Sequence, residues 1–226
     1  RSRLNPRQME QELTRNPGDF EAALNLASEY FQLGQTGAAV QALDRILNSS
    51  NVPTALLRTL LPLYSALSNE SKLRQTVALL NTQLQNNPAN LEAAIGIAEG
   101  DRALHQPQEA RQALQKVLDS PAAGPNAIVQ MAQQFMALSD YPMLEKALEK
   151  LTRVAPESPE TWYDLAALRS ILGNKTQSIE ALRQALKLSA ARLTRDPRAR
   201  NLSAELQRDP RFNAVRSLPE FKDLAK

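Results

Sequence analysis

The sequence predicts an all-α fold, a solenoid of stacked helix pairs. Apolar residues recur every three or four positions, as at Leu24, Ala27 and Phe31, which is typical of amphipathic helices. No stretch alternates apolar and polar residues in the manner of a strand rich in Val, Ile and Thr, so we expect no sheet. The helical pattern also repeats at an interval of about 34 residues, which indicates stacked helix pairs.

Prolines mark where successive helices end. Pro17, Pro88 and Pro156 each follow one helical run and precede the next, and neighbouring members of this set lie close to two repeat lengths apart. Proline is excluded from helix interiors because it lacks the N–H donor and its ring clashes with the preceding turn. Pro62 is an exception, since it falls inside the apparent helix TLLPLYSAL. We expect a kink or a late helix start there.

The interval defines about five units and two terminal regions. The units start near Phe20, Leu57, Leu91, Pro125 and Pro159. The last three intervals are equal, and the first is longer, with the extra residues assigned to the loop NSSNVPT. The sequence thus predicts repeats over 20–188, an N-terminal capping helix or half repeat over 1–19, and C-terminal capping helices over 189–226. The expected apolar anchors of the C-terminal helices are Phe212, Val215, Leu218, Phe221 and Leu224.

The unit that begins at Pro159 resembles the tetratricopeptide repeat. Family positions 4, 7, 8, 20, 24 and 27 are occupied by Trp162, Leu165, Ala166, Ser178, Leu182 and Ala185. Arg169 departs from the aromatic expected at position 11. The unit from Leu57 fits poorly, with Tyr64 at position 8 and Thr76 at position 20. The resemblance covers roughly residues 20–188 and implies a right-handed superhelix (solenoid) of antiparallel helix pairs, in a protein that binds other proteins.

The sequence lacks the residue combinations that catalysis or metal binding requires. Cysteine is absent, and the sole histidine, His105, lies in the turn ALHQPQEA without a second histidine nearby. The seven glycines form neither of the phosphate-binding patterns GxGxxG and GxxxxGKS. We therefore expect a non-catalytic protein with no catalytic residue, no cofactor and no metal.

The charge of the chain argues against nucleic acid as a partner. The net charge of +3 is mild, and nucleic-acid binding calls for a concentrated basic patch. The excess is local, because residues 189–226 carry nine Lys and Arg against five Asp and Glu. A basic tail can contact an anionic partner or a membrane surface, although solvated Arg-rich helices account for the same composition. No apolar run approaches the ~20 residues that span a bilayer.

The resemblance assigns positions 2, 5, 9 and 12 of each first helix to a concave groove. The candidate groove residues are Leu24, Ser28, Phe31, Leu61, Ile95, Glu99, Arg102, Val129, Gln133, Met136 and Tyr163. Their apolar stripe suits an extended or helical peptide with apolar anchors. Packing between neighbouring repeats, or filling of the groove by the C-terminal helices, explains the same stripe equally well. Within the triplet WYD, Trp162 is predicted to pack between helices and Tyr163 to meet a ligand.

These observations predict a protein–protein interaction scaffold or adaptor that binds a peptide or partner protein in its groove. The alternative is a soluble regulatory or docking appendage of a larger bacterial enzyme, such as a membrane-embedded one, whose catalytic part lies outside this sequence. A self-associating array, which predicts a homo-oligomer, is a third hypothesis. The partner and the compartment stay open, and both a cytoplasmic protein and an extracytoplasmic domain of a membrane-anchored bacterial protein fit the sequence.

Overall fold

The computed structural model describes residues 4–226, and every regular element in that range is a helix. The all-α prediction is therefore confirmed. The helices are α1 (Pro6–Arg15), α2 (Phe20–Gln32), α3 (Thr36–Leu47), α4 (Thr54–Ala66), α5 (Glu70–Asn86), α6 (Leu91–Ala103), α7 (Pro107–Asp119), α8 (Pro125–Ala137), α9 (Tyr141–Val154), α10 (Pro159–Ile171), α11 (Lys175–Arg195), α12 (Leu202–Leu206) and α13 (Pro219–Leu224), with a 3₁₀ turn at Pro210–Phe212.

The chain divides into two compact units, Arg1–Ala113 and Leu114–Lys226. In the first unit, α1 packs on α2, α2 on α3, and α4 on both α5 and α6. In the second unit, α8 packs on α9, and α10 packs on both α9 and α11. Each unit is thus built from helices that contact their neighbours in sequence, as expected for helical repeats.

A residue with left-handed backbone ends the first helix of each of five predicted pairs. These residues are Gly34, Ser68, His105, Ser139 and Gly173, with φ between 52° and 82°. Their spacing is constant except between Ser68 and His105, where it is longer. Each closes a Schellman motif; for example, the Gln35 N–H donates to the Tyr30 carbonyl at 2.9 Å and the Gly34 N–H to the Phe31 carbonyl at 3.0 Å. A leucine precedes the left-handed residue in every case.

This register differs from the predicted one in the second unit of the repeat. Helix α4 begins at Thr54, one regular repeat length after Phe20, so the longer interval lies between Thr54 and Leu91 and includes the 17-residue helix α5. The helix continues through Pro62, whose ring is exposed, so the late start suggested by that proline is not observed. We propose five repeats that begin at Phe20, Thr54, Leu91, Pro125 and Pro159.

Position 11 of several first helices binds an acidic side chain on the preceding helix. The Tyr30 hydroxyl donates to Glu10 at 3.0 Å, and the Tyr64 hydroxyl donates to Asp44 at 2.9 Å. In the second unit, the Arg169 guanidinium lies 3.5 Å from Glu149. Each contact joins the first helix of one repeat to the helix before it. Arg169 therefore fills this role despite its departure from the aromatic of the family pattern.

Asp101 occupies position 11 of α6 and is buried, with 6% of its surface exposed. Burial raises the pKa of its carboxyl from 3.8 to about 6, with a further increase from Glu109 and an opposing effect from Arg74. Because the folded-state pKa lies above the ordinary value, the folded protein binds this proton more tightly than the unfolded chain does. The resulting stability is present below pH 3.8 and is lost as the pH rises through about 6.

We expect Asp101→Asn to increase the free energy of unfolding at pH 8 by about 2 kcal/mol, because the neutral amide avoids burying a charge. At pH 4 the difference from the unsubstituted protein should be much smaller. Urea unfolding at the two pH values measures this, with the exposed Asp119→Asn as the control. An equal effect of Asp101→Asn at both pH values would contradict the assignment.

Helix α6 packs closely on its neighbours through two glycines. A Cβ on Gly100 would overlap Cγ2 of Val77 and lie 3.2 Å from Leu61, and a Cβ on Gly96 would lie 2.7 Å from the Arg58 side chain. The arginine chain can move, whereas Val77 is β-branched and restricted at χ1. Gly100 is therefore the position at which α6 depends most on having no side chain.

We expect Gly100→Ala to lower the free energy of unfolding by about 1–3 kcal/mol through overpacking, despite the better helix propensity of alanine. Gly37→Ala in α3 is the control, because a Cβ there meets nothing within 4 Å. That substitution should leave stability unchanged or raise it by up to about 1 kcal/mol. Chemical denaturation of both variants makes the comparison, and equal behaviour would refute the close-packing argument.

Two substitutions at the left-handed turns should change the stability of the protein in opposite directions. Ser139→Gly should stabilise the protein by about 0.5–1 kcal/mol, because glycine adopts φ near 53° without a Cβ penalty. Gly173→Ser, at φ 82°, should destabilise it by a similar amount. Thermal unfolding of the two variants tests this, and a stabilising Gly173→Ser would contradict the turn assignment.

The chain after residue 188 packs on the second unit. Helix α11 continues to Arg195, beyond the end of the predicted repeat, and α12 and α13 then pack against it. Phe212, Val215 and Phe221 are buried, and Leu218 and Leu224 pack against the same cluster. All five predicted anchors therefore belong to this core.

Candidate functional site

An apolar pocket of about 120 Å³ lies between α2 and α4 in the first unit. Its lining is formed by Leu24, Ala27, Ser28, Phe31, Leu43, Leu63, Ala66 and Leu67. Leu24, Ser28 and Phe31 follow one another at spacings of four and three residues, so they share one side of α2. The pocket thus unites three of the predicted groove residues.

The pocket has a buried floor and an exposed apolar wall. Leu43 is buried, Leu24 is half-buried, and Phe31 leaves 50% of its surface exposed. Ala27 and Ala66 contribute small side chains to the lining. An apolar cavity of about 150 Å³ accommodates a molecule the size of benzene, so this slightly smaller space suits one aliphatic side chain.

A second depression, of about 320 Å³, adjoins the pocket along α2. Leu4, Met9, Asn25, Ser28 and Glu29 line it. Ser28 lines both depressions, which therefore lie next to each other along α2. The second depression mixes polar and apolar side chains, as the edge of a peptide groove does.

The other predicted groove residues lie in different surroundings. Arg102, Val129, Gln133 and Met136 are exposed, and the last three share one face of α8. Glu99 is half-buried and pairs with Arg58 at 2.6 Å. Leu61, Ile95 and Tyr163 are buried, so none of these three is available to a ligand.

The prediction for Leu61 is wrong because of the register of α4. With the helix beginning at Thr54, Leu61 occupies packing position 8, and it lies against Gly100 of α6. Ile95 is buried on a face of α6 that Arg58 crosses. The Arg58 guanidinium lies 3.7 Å from Glu92 and 2.6 Å from Glu99, one turn to either side of Ile95.

The prediction for Tyr163 is also wrong, because the C-terminal segment covers it. Its ring is 1% exposed and packs on Phe212 with 5.2 Å between centroids. Its hydroxyl donates to Asp209 at 2.9 Å, and the Arg211 guanidinium lies 5.6 Å from the ring centroid. Burial, followed by the bond to Asp209, raises the pKa of this phenol. At this position the groove is filled by the protein itself.

Trp162 is the more exposed of the two aromatic residues. It is half-buried against the core of the second unit, and its indole N–H donates to the Pro156 carbonyl at 2.8 Å. Trp162 therefore packs on the core as predicted, whereas Tyr163 is not available to a ligand. The apolar anchors after residue 210 were the signal in the sequence that could have indicated a cover for Tyr163.

Sequence reasoning also missed the α4 wall of the pocket, formed by Leu63, Ala66 and Leu67. The predicted start at Leu57 misassigned this helix by three residues. The recurring leucine before each left-handed turn, here Leu67 before Ser68, is the signal that would have corrected it.

Neither a candidate metal-binding cluster nor a membrane-spanning helix is present among residues 4–226. No group of three or more His, Cys, Asp or Glu side chains in that range is arranged to hold a metal ion. None of the helices described there combines the length and apolar character needed to cross a membrane.

Comparison with known proteins agrees with this architecture. A tetratricopeptide repeat model matches residues 20–51 and 159–192, which begin at α2 and α10. No curated protein matches the chain. Among solved structures, the fold is similar to that of MamA protein, with a sequence identity of 13% and a TM-score of 0.51. That match covers 80% of this chain and 97% of the MamA chain. The fold is also similar to nearly identical TPR-like repeats of a Podosopora anserina kinesin light chain, with 20% identity, coverage of 81% and 99%, and a TM-score of 0.51.

The fold therefore defines a helical solenoid of the kind built from tetratricopeptide repeats. The chain therefore contains two segments that match the tetratricopeptide repeat. Proteins built from such repeats are typically non-catalytic, and the matched repeats support a protein–protein interaction scaffold in general terms.

Proposed function

We propose that the chain is a non-catalytic adaptor that binds a peptide segment of a partner protein along α2. The observation that carries this proposal is the open apolar pocket of about 120 Å³ beside the half-exposed ring of Phe31. A large aromatic side chain in water is unfavourable, and a partner that covers it gains hydrophobic free energy.

The pocket accepts one aliphatic side chain of the peptide, such as leucine or isoleucine. Full burial of such a side chain contributes about 1.5–3 kcal/mol, which alone gives weak binding. The adjoining depression, with Asn25 and Ser28, supplies polar groups for the peptide backbone. We propose a second contact surface in the other unit, formed on α8 by Val129, Gln133 and Met136.

We expect Phe31→Ala to weaken peptide binding about tenfold, because part of the apolar wall is lost. Peptides would first be selected from a displayed random library against the unsubstituted protein. Their dissociation constants would then be measured by calorimetry. Ile171→Ala is the matched control, since Ile171 is 57% exposed but lies in the second unit.

A second variant tests the pocket without removing the ring of Phe31. Ala66→Glu places a charge at the opposite wall of the pocket, on an exposed position of α4, and should abolish binding without affecting folding. Selected peptides should carry one aliphatic anchor. Unchanged affinity in both pocket variants, with native circular dichroism, would refute the proposal.

A further inference from the structure

The C-terminal segment carries a concentration of arginines that the proposed peptide pocket does not involve. Residues 192–216 hold seven arginines against three acidic residues. Three of these arginines, Arg200, Arg208 and Arg211, line a surface depression of about 760 Å³ in the second unit. Glu205 and Asp209 line the same depression, so positive and negative groups alternate within it.

The three arginines differ in how they are paired. Arg200 donates through Nε to Glu205 at 2.6 Å, and Arg211 pairs with Asp209 at 2.8 Å and with Asp164 at 3.4 Å. Arg208 is exposed, and its guanidinium makes no ion pair or hydrogen bond with any residue from 4 to 226. All five N–H donors of the Arg208 guanidinium are therefore available to a ligand.

We propose that this depression binds a carboxylate-bearing segment of an acidic partner peptide, with Arg208 as the contacting group. The planar guanidinium matches a carboxylate through two parallel hydrogen bonds. Arg200 and Arg211 are compensated by their own acidic partners, so Arg208 carries the uncompensated positive charge of the depression. Pro210 and Ala204 supply apolar surface for the peptide chain beside this group.

The composition of the depression favours a peptide over nucleic acid. A nucleic acid presents closely spaced phosphates, which would be repelled by Glu205 and Asp209 between the arginines. Single strands also depend on exposed aromatic rings for base stacking. Tyr163, the aromatic residue of this depression, is almost completely buried. A peptide can place one carboxylate at Arg208 and neutral residues next to the acidic groups.

The test uses the full chain and a fluorescein-labelled peptide that carries one central Glu among Ala and Gln residues, with a peptide in which Gln replaces that Glu as its neutral counterpart. Fluorescence anisotropy at low salt should show binding of the Glu peptide alone. Arg208→Gln should weaken that binding about tenfold. Arg183→Gln, which removes an equal charge from an exposed position on α11, should change it less than twofold.

Several outcomes would overturn the proposal. If Arg208→Gln and Arg183→Gln weaken binding equally, the attraction is diffuse and Arg208 has no special role. If the neutral peptide binds as tightly as the Glu peptide, the carboxylate is not what the depression recognises. Tighter binding of a single-stranded oligonucleotide or of anionic phosphatidylserine vesicles, lost in Arg208→Gln, would replace the peptide by another class of partner. Phe31→Ala should leave this binding unchanged, so its result is separate from that of the proposed apolar pocket.

Discussion

The left-handed residue between paired helices is the constraint on which the rest of the structure depends. It ends one helix, and the residue after it caps the N-terminus of the next helix. Asn69 and Asp140, for example, each accept a hydrogen bond through the side-chain Oδ1 from the backbone N–H three residues later. The chain therefore stops and restarts a helix within three residues. Because little freedom is left in such a connection, the turn sets which side chains of the two helices face each other.

The pocket on α2 follows from this register. With α4 held at Thr54, Ala66 and Leu67 come to the side of α2 that carries Leu24 and Phe31. Small residues at Ala27 and Ala66 leave a space that larger ones would fill. In the last repeat the corresponding surface is closed, because Phe212 packs on Tyr163 and Asp209 binds its hydroxyl. One repeat geometry thus yields an open site in one unit and a covered one in the other.

Helical periodicity and the regular repeat interval were enough to predict the fold, because each helix must bury an apolar stripe whatever its partner. They located the starts of α2, α6, α8 and α10. They failed at α4, where small residues at fixed positions were a weaker guide than the turn leucines. They also could not predict whether Tyr163 is exposed or buried, because its burial depends on Phe212, a residue far along the chain and outside the repeat pattern.

The position of Trp162 has a consequence for spectroscopy. It is the sole tryptophan, and it sits at the edge of the core of the second unit with its indole N–H held by Pro156. Its fluorescence therefore reports on Leu114–Lys226, whereas far-ultraviolet circular dichroism records the helices of both units. Coincident transitions by the two signals would mean that the two units melt as one cooperative body. A lag between them would assign separate stabilities to each unit from a single unlabelled sample.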